Sequence, residues 1–215
     1  MRYNTILLDL DGTLMDSGEG IMKCAQYALG KMGVTIDDWH TLRHFVGPPL
    51  EDSFMDFYGF DASKAHDAVM AYRERYFTEG RMEQRPYLGT TAFLQRLRDM
   101  GITVCLATSK MSSQSMFVIE TFGLSEYIDH VFARDDAGLI HTKADVIRTA
   151  LHTLSISDLS MVLMVGDRKF DVLGARECGI DSAGVLYGYG DREELLAAGA
   201  TYICEDFDDV IDLLY

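Results

Sequence analysis

The sequence predicts an α/β protein built on a parallel sheet, with an all-helical segment inserted near its start. Three observations predict it. Apolar runs rich in β-branched residues recur at 4–8, 102–107, 130–133, 161–165, 182–186 and 201–204, the pattern of strands buried on both faces. Helical patterns lie between most of them, including Thr90–Met100, Ser112–Phe122 and Lys143–Leu154, with Gly101, Gly123 and Gly179 standing where those or neighbouring helices should stop. From about Gly18 to Gly80 the alternation lapses, and only helical periodicity is found.

The elements follow in order. Thr5-Ile6-Leu7-Leu8 is a short buried strand, and Gly12 turns the chain sharply after it. The helical segment should comprise helices over roughly 18–32, 37–45, 50–58 and 62–78, punctuated by Gly33, Gly47-Pro48-Pro49 and Gly59. Its large apolar residues, among them Met22, Tyr27, Phe54, Met55, Tyr72 and Phe77, are read as packing for a small bundle. The remaining strands and helices alternate, which gives a Rossmann-like sheet with helices on both faces. The expected domains are therefore 1–16 with 81–215 as the core, and 17–80 as the insert. Hinges are expected near Asp16-Ser17-Gly18 and Gly80–Arg85, because an insert that leaves the sheet directly beside a strand end is placed to act as a lid. The acidic run Glu205-Asp206-Phe207-Asp208-Asp209 should open a last helix, where carboxylates favour the helix dipole.

Composition limits the function. With 215 residues, 48% hydrophobic, the chain can bury a substantial core. A formal net charge of −15 and a pI of about 4.6 argue against nucleic acid or anionic membrane as a partner and are compatible with a divalent cation. Cys24, Cys105, Cys178 and Cys204 are widely spaced, without a Cys-x-x-Cys pair or a zinc-like histidine cluster, so reduced thiols and a cytoplasmic location are expected. The N-terminus is too short of apolar residues for a signal peptide, and no run reaches membrane-spanning length. Oligomeric state stays open between monomer and homodimer.

Four motifs carry chemistry. The first is Asp9-Leu10-Asp11-Gly12-Thr13-Leu14, two carboxylates at the end of the first strand, where open α/β sheets bind ligands. Burying them requires a cation or hydrogen-bond donors. The second is Thr108-Ser109-Lys110, between a strand and a Ser-rich helix, which fits an anion site and equally a plain helix cap. The third is Lys143 at the start of a helix, which alone reads as an ordinary surface lysine. The fourth is Met164-Val165-Gly166-Asp167-Arg168-Lys169-Phe170-Asp171, another strand running into an aspartate, with Asp171 about one turn further on. Together they bring carboxylates, hydroxyls and a lysine to neighbouring strand ends. Hard oxygen ligands in that number suit Mg²⁺ shared with phosphate oxygens.

In the identity, order and spacing of these motifs, and over essentially its whole length, the chain resembles the haloacid dehalogenase-like hydrolases whose helical cap follows the first motif. It looks most like phosphoglycolate phosphatase-type members, and Phe45-Val46-Gly47-Pro48-Pro49-Leu50-Glu51-Asp52-Ser53-Phe54 resembles a 5′-nucleotidase-like subgroup. The resemblance implies a Mg²⁺-dependent phosphomonoesterase acting on a small phosphorylated metabolite. It implies Asp9 as nucleophile, Asp11 as general acid and base with its carbonyl on the metal, and Asp167 as a metal ligand. It further implies Thr108, Ser109 and Lys143 as phosphate-binding, with Lys143 also holding Asp9, and Asp171 acting through water or by orienting Lys143. An acid two residues after the nucleophile disfavours the family's dehalogenases. Ala144 stands where many phosphoglycolate-type relatives have proline, which weakens that substrate. Sugar phosphomutase and a non-catalytic phosphate-binding protein are the alternatives. Arg43 and His44 are candidates to reach the substrate, as equally they are solvated helix-end charges. Arg73, Arg75, Arg81, Arg85, Arg168 and Lys169 are ambiguous in the same way.

Overall fold

The computed structural model describes residues 2–135, 140 and 142–215. The chain forms two compact units, one of Met1–Met15 with Pro86–Tyr215 and one of Asp16–Arg85. The strands are β1 Thr5–Leu8, β2 Met15–Asp16, β3 Arg85–Pro86, β4 Thr103–Met111, β5 His130–Arg134, β6 Val162–Gly166, β7 Asp181–Val185 and β8 Tyr202–Cys204. The helices are α1 Gly18–Lys31, α2 Leu50–Tyr58, α3 Ala62–Thr78, α4 Thr90–Asp99, α5 Ser112–Thr121, α6 Lys143–Thr153, α7 Lys169–Cys178, α8 Arg192–Ala198 and α9 Phe207–Asp212. No helix among the described residues is long and apolar enough to cross a membrane.

In the first unit six parallel strands run in the order β5-β4-β1-β6-β7-β8. The chain winds outward from β1 through β4 to β5, then returns to β6 on the other side of β1 and continues to β8. The carboxyl ends of β1, β4 and β6 therefore face a common crevice at the point where the winding reverses. Alternation along each central strand makes two cores, because successive side chains point to opposite faces. Ile6, Leu8, Val104, Leu106, Leu163 and Val165 pack with Phe93, Leu94 and Leu97 of α4, Val118 and Ile119 of α5, and Val210 and Ile211 of α9. Leu7, Cys105, Ala107, Val162 and Met164 pack instead with Val146, Ile147 and Ala150 of α6 and Ala175 of α7. Each fully buried aliphatic side chain contributes about 1.5–3 kcal/mol, which makes β1 and its two neighbours the rigid floor of the crevice.

One strand departs from expectation. β4 runs through Met111 rather than ending at 107, so Thr108, Ser109 and Lys110 lie within the strand and not at its junction with α5. Its pairing with β5 shifts between Thr108, opposite Ala133, and Met111, opposite Arg134. Two extra residues on β4 form a bulge there.

In the second unit α1 packs on α3 and on a 3₁₀ helix, Trp39–Phe45, and α2 packs on α3. The helix expected over 37–45 is this 3₁₀ segment, broken at Leu42 (φ −90°, ψ 19°), a form suited to a short run that ends before Gly47-Pro48-Pro49. Met22, Phe54 and Tyr72 are buried as the pattern required, whereas Tyr27 and Phe77 are exposed. The unit's two ends lie close together. A Cβ on Gly20 would sit 2.1 Å from the Gly80 carbonyl oxygen, and Arg85 Nη2 pairs with Asp16 Oδ2 at 3.1 Å. Gly80, expected as a hinge, is thus buried against α1. Nearby, Arg75 and Lys23 both bond Glu83, at 2.7 Å and 3.2 Å.

Two stability tests follow from this unit. Gly20→Ala forces backbone apart and should cost about 1–3 kcal/mol, whereas Gly30→Ala, which meets nothing within 4 Å in α1, should stabilise by about 0.5–1 kcal/mol. Urea unfolding of the two variants measures both, and equal effects would contradict the close-packing account. The Arg75 guanidinium, assisted by Lys23, holds the Glu83 carboxyl below the ordinary glutamate range. Because its folded pKa is lowered, the stabilisation is present above the unfolded pKa and is lost as pH falls through the folded one. Glu83→Gln should therefore flatten the acid side of the stability-against-pH curve, leaving the slope above pH 7 unchanged.

Candidate active site

β1 delivers Asp9 to the crevice. Its N–H donates to the Val165 carbonyl at 2.9 Å, which extends the ladder one residue past the strand and holds the carboxylate at the sheet edge. The chain then reverses: the N–H groups of Leu14 and Met15 donate to the Leu10 carbonyl, and Gly12 N–H donates to Met15. Gly12 has φ +87°, and a Cβ there would lie 2.1 Å from Asp167 Oδ2. Both the backbone conformation and the approach of Asp167 demand glycine.

Lys143 is the first residue of α6, fixed by a capping box between Thr142 and Asp145. Its side chain is 4% exposed. The ammonium reaches three oxygens, Asp9 Oδ1 at 2.7 Å, Asp171 Oδ1 at 2.8 Å and the Ala107 carbonyl at 2.8 Å. Burial opposes its charge, but the carboxylates of Asp171 and Asp9 overcome that and hold its pKa above the usual lysine value. Asp9 moves upward too, because burial and the neighbouring Asp171 outweigh the pull of Lys143.

Asp167 follows β6 directly and is fully buried. Its Oδ2 accepts from Tyr189 N–H at 2.7 Å, while Oδ1 is buried without a hydrogen-bond partner. Burial, then the charges of Asp171 and Asp9, push its carboxyl well above the ordinary aspartate range. Glycines make room for it: a Cβ on Gly188 would sit 2.3 Å from Asp167 Cβ, and one on Gly190 2.0 Å from its carbonyl oxygen. Asp171 sits in the first turn of α7, with Oδ2 accepting from Arg168 N–H at 3.2 Å. A Cβ on Gly166 would lie 2.1 Å from its carboxyl carbon.

Oxygens of Asp9, Asp167 and Asp171 lie within 4.8 Å of one another. Three buried carboxylates face one buried ammonium, and two of their oxygens, Asp167 Oδ1 and Asp171 Oδ1, accept no hydrogen bond. That donor set fits a hard divalent cation such as Mg²⁺.

The bulge on β4 carries the second motif. Thr108 is buried, and its Oγ1 accepts from Lys110 N–H at 3.2 Å, which leaves the hydroxyl proton to donate elsewhere. Ser109 is half-buried. Lys110, to which sequence reasoning gave no role, places its ammonium 2.9 Å and 2.8 Å from the two oxygens of Asp11. The loop Tyr187-Gly188-Tyr189-Gly190 was also missed, although two glycines alternating just after a strand do signal a close backbone approach. Arg168 is committed to Glu194 at 2.9 Å, Arg75 to Glu83, and Arg85 to Asp16. In the helical unit Arg43 is exposed, while the His44 ring packs on Phe57 and Phe45 at centroid distances of 4.3 Å and 4.9 Å.

Comparison with known proteins places the chain in a family. The family model described as haloacid dehalogenase-like hydrolase matches residues 6–185. A 5′-nucleotidase of Pseudomonas aeruginosa is 38% identical over 206 residues, covering 96% of this chain and 93% of that protein. The tyrosine-protein kinase PtkA of Mycobacterium tuberculosis is 34% identical, over 92% of this chain and 67% of its own length. A crystal structure of a predicted phosphatase from Clostridium acetobutylicum superimposes with a TM-score of 0.95 at 41% identity, covering 100% of this chain and 99% of that one. The chain belongs to the haloacid dehalogenase-like hydrolase family and, within it, to the phosphatase branch.

Proposed function

We propose that the protein hydrolyses small phosphomonoesters in two steps through an aspartyl-phosphate on Asp9. The observation that carries this reading is the Asp9–Lys143 contact: Oδ1 of Asp9 is tied to the ammonium at 2.7 Å, which leaves Oδ2 to attack. In the first step Oδ2 bonds to phosphorus, the ester P–O bond breaks, and the departing oxygen takes a proton from Asp11. In the second, Asp11 takes a proton from water, the water oxygen bonds to phosphorus, and the Asp9–phosphorus bond breaks to release phosphate. The Thr108 hydroxyl, with Ser109, donates to phosphoryl oxygens, and Lys143 offsets charge gathering on them. Asp9, the Asp11 carbonyl and Asp167 would hold Mg²⁺, with Asp171 orienting Lys143. Bound there, Mg²⁺ supplies charge neutralisation for the phosphoryl oxygens.

Substrate choice is assigned to the insert, with exposed Arg43 and, beside it, His44 as the residues that set it. The name of the Pseudomonas relative puts nucleoside monophosphates first in a panel that also holds phosphoglycolate, sugar phosphates and pyrophosphate.

Phosphate release from this panel should require Mg²⁺, stop in EDTA, and fall roughly 10³-fold or more in Asp9→Asn. Release by Asp9→Asn at the wild-type rate would sink the reading, and a product phosphorylated at a second hydroxyl without free phosphate would make the protein a mutase. Gly188→Ala, which displaces Asp167, should raise the Mg²⁺ concentration for half-maximal activity by roughly 10–100-fold. An unchanged Mg²⁺ titration in that variant would remove Asp167 from the metal site.

A further inference from the structure

Two lysines divide three of the four aspartates of the crevice. Lys143 takes Asp9 and Asp171, while Lys110 takes Asp11 with both oxygens at 2.8–2.9 Å. The second pair is nearly as enclosed as the first, with side-chain exposures of 9% and 13%. Such a contact is not a surface ion pair of negligible worth.

The pair exists because of the bulge. Two residues more on β4 than on β5 turn the strand locally, and the Lys110 N–H closes back on Thr108 Oγ1 at 3.2 Å. The distortion at the strand's carboxyl end thus aims the Lys110 side chain at the neighbouring β1 loop. On the other side, Asp11 is fixed by the bonded turn from Leu10 to Met15. The carboxylate is gripped between a rigid turn and a rigid bulge.

Resting on the assignment of Asp11 as the group that protonates the leaving oxygen, we propose that Lys110 is a positioning residue that holds the Asp11 carboxyl in the place from which it serves the leaving group. Lys110 acts on one part of the reaction only. An alkoxide departs with difficulty unless a proton reaches it, whereas a nitrophenolate departs without one. A residue that works through Asp11 must therefore matter for alkyl phosphates far more than for activated aryl phosphates. A residue that binds the phosphoryl group must matter equally for both, because both carry the same group.

The test compares kcat/KM, which reports the steps through departure of the leaving group, for the best alkyl phosphate of the panel and for p-nitrophenyl phosphate. The proteins are wild type, Lys110→Met, Lys110→Gln, Lys110→Arg and Asp11→Asn, each with a melting curve. The expected result for Lys110→Met and Lys110→Gln is a loss on the alkyl ester of roughly 10²-fold and a loss on the aryl ester at least tenfold smaller, with Lys110→Arg recovering part of the difference. Two variants keep the test informative if one fails to fold. Equal losses on both esters, accompanied by weaker inhibition by inorganic phosphate, would show a phosphate ligand and overturn the proposal; equal losses tracking a lowered Tm would overturn it as a structural role. A leaving-group effect in Asp11→Asn with none in the Lys110 variants overturns the proposal alone. No such effect in Asp11→Asn overturns the assignment of Asp11 and the proposal with it, while Asp9→Asn reports separately on the nucleophile.

Discussion

The ammonium of Lys143 is the point at which the sheet, two helices and the chemistry are tied to one atom. It hydrogen-bonds oxygens from the end of β1 and from β4 and pairs at 2.8 Å with a carboxylate in the first turn of α7. A buried charge paired in this way is stable, but removing one partner costs on the order of 3–5 kcal/mol. The helices are positioned to match. The capping box places Lys143 at the first residue of α6, and Gly174 of α7 lies where a Cβ would come 2.9 Å from the Lys143 stem. The same contacts that join β1, β4, α6 and α7 thereby line the crevice.

Around that atom the protein concentrates like charge that hydrophobic packing would never select. Asp9, Asp167 and Asp171 are all buried, and two of them sit above their ordinary pKa range because water has been removed from them. The backbone leaves room for the arrangement. Gly12, Gly166, Gly188 and Gly190 carry no side chain where a Cβ would meet Asp167 or Asp171. Like charges buried this close together are the feature of the region that points to function.

Most of this was visible in the sequence. β1, β4 and β6 announce themselves as apolar runs, and the aspartates at their ends are where an α/β sheet keeps its chemistry. Only the family resemblance points to Lys143, which nothing in its own neighbourhood distinguishes. Contacts between distant segments were illegible. Asp9 and Lys143 are 134 residues apart, and no periodicity encodes the reach of a side chain. The bulge at Ser109-Lys110 was misread as a strand end, because apolar patterning stops where polar residues begin even when the backbone pairing continues. Arg168 is ambiguous in the sequence between substrate contact and solvated charge, since its partner Glu194 lies in a helix further along the chain. Tyr27 and Phe77 read as core in the sequence yet are exposed, because a helical stripe does not say which of its edges meets solvent.

The meeting of Gly20 with Gly80, and of Asp16 with Arg85, has an evolutionary meaning. A segment whose entry and exit touch each other is felt by its host as a short loop, whatever its length, so the host loses little chain entropy in carrying it. The insert can be enlarged, trimmed or exchanged for another bundle while β1 and the aspartates before it stay as they are. Such an exchange would leave the sheet and its three buried carboxylates in place.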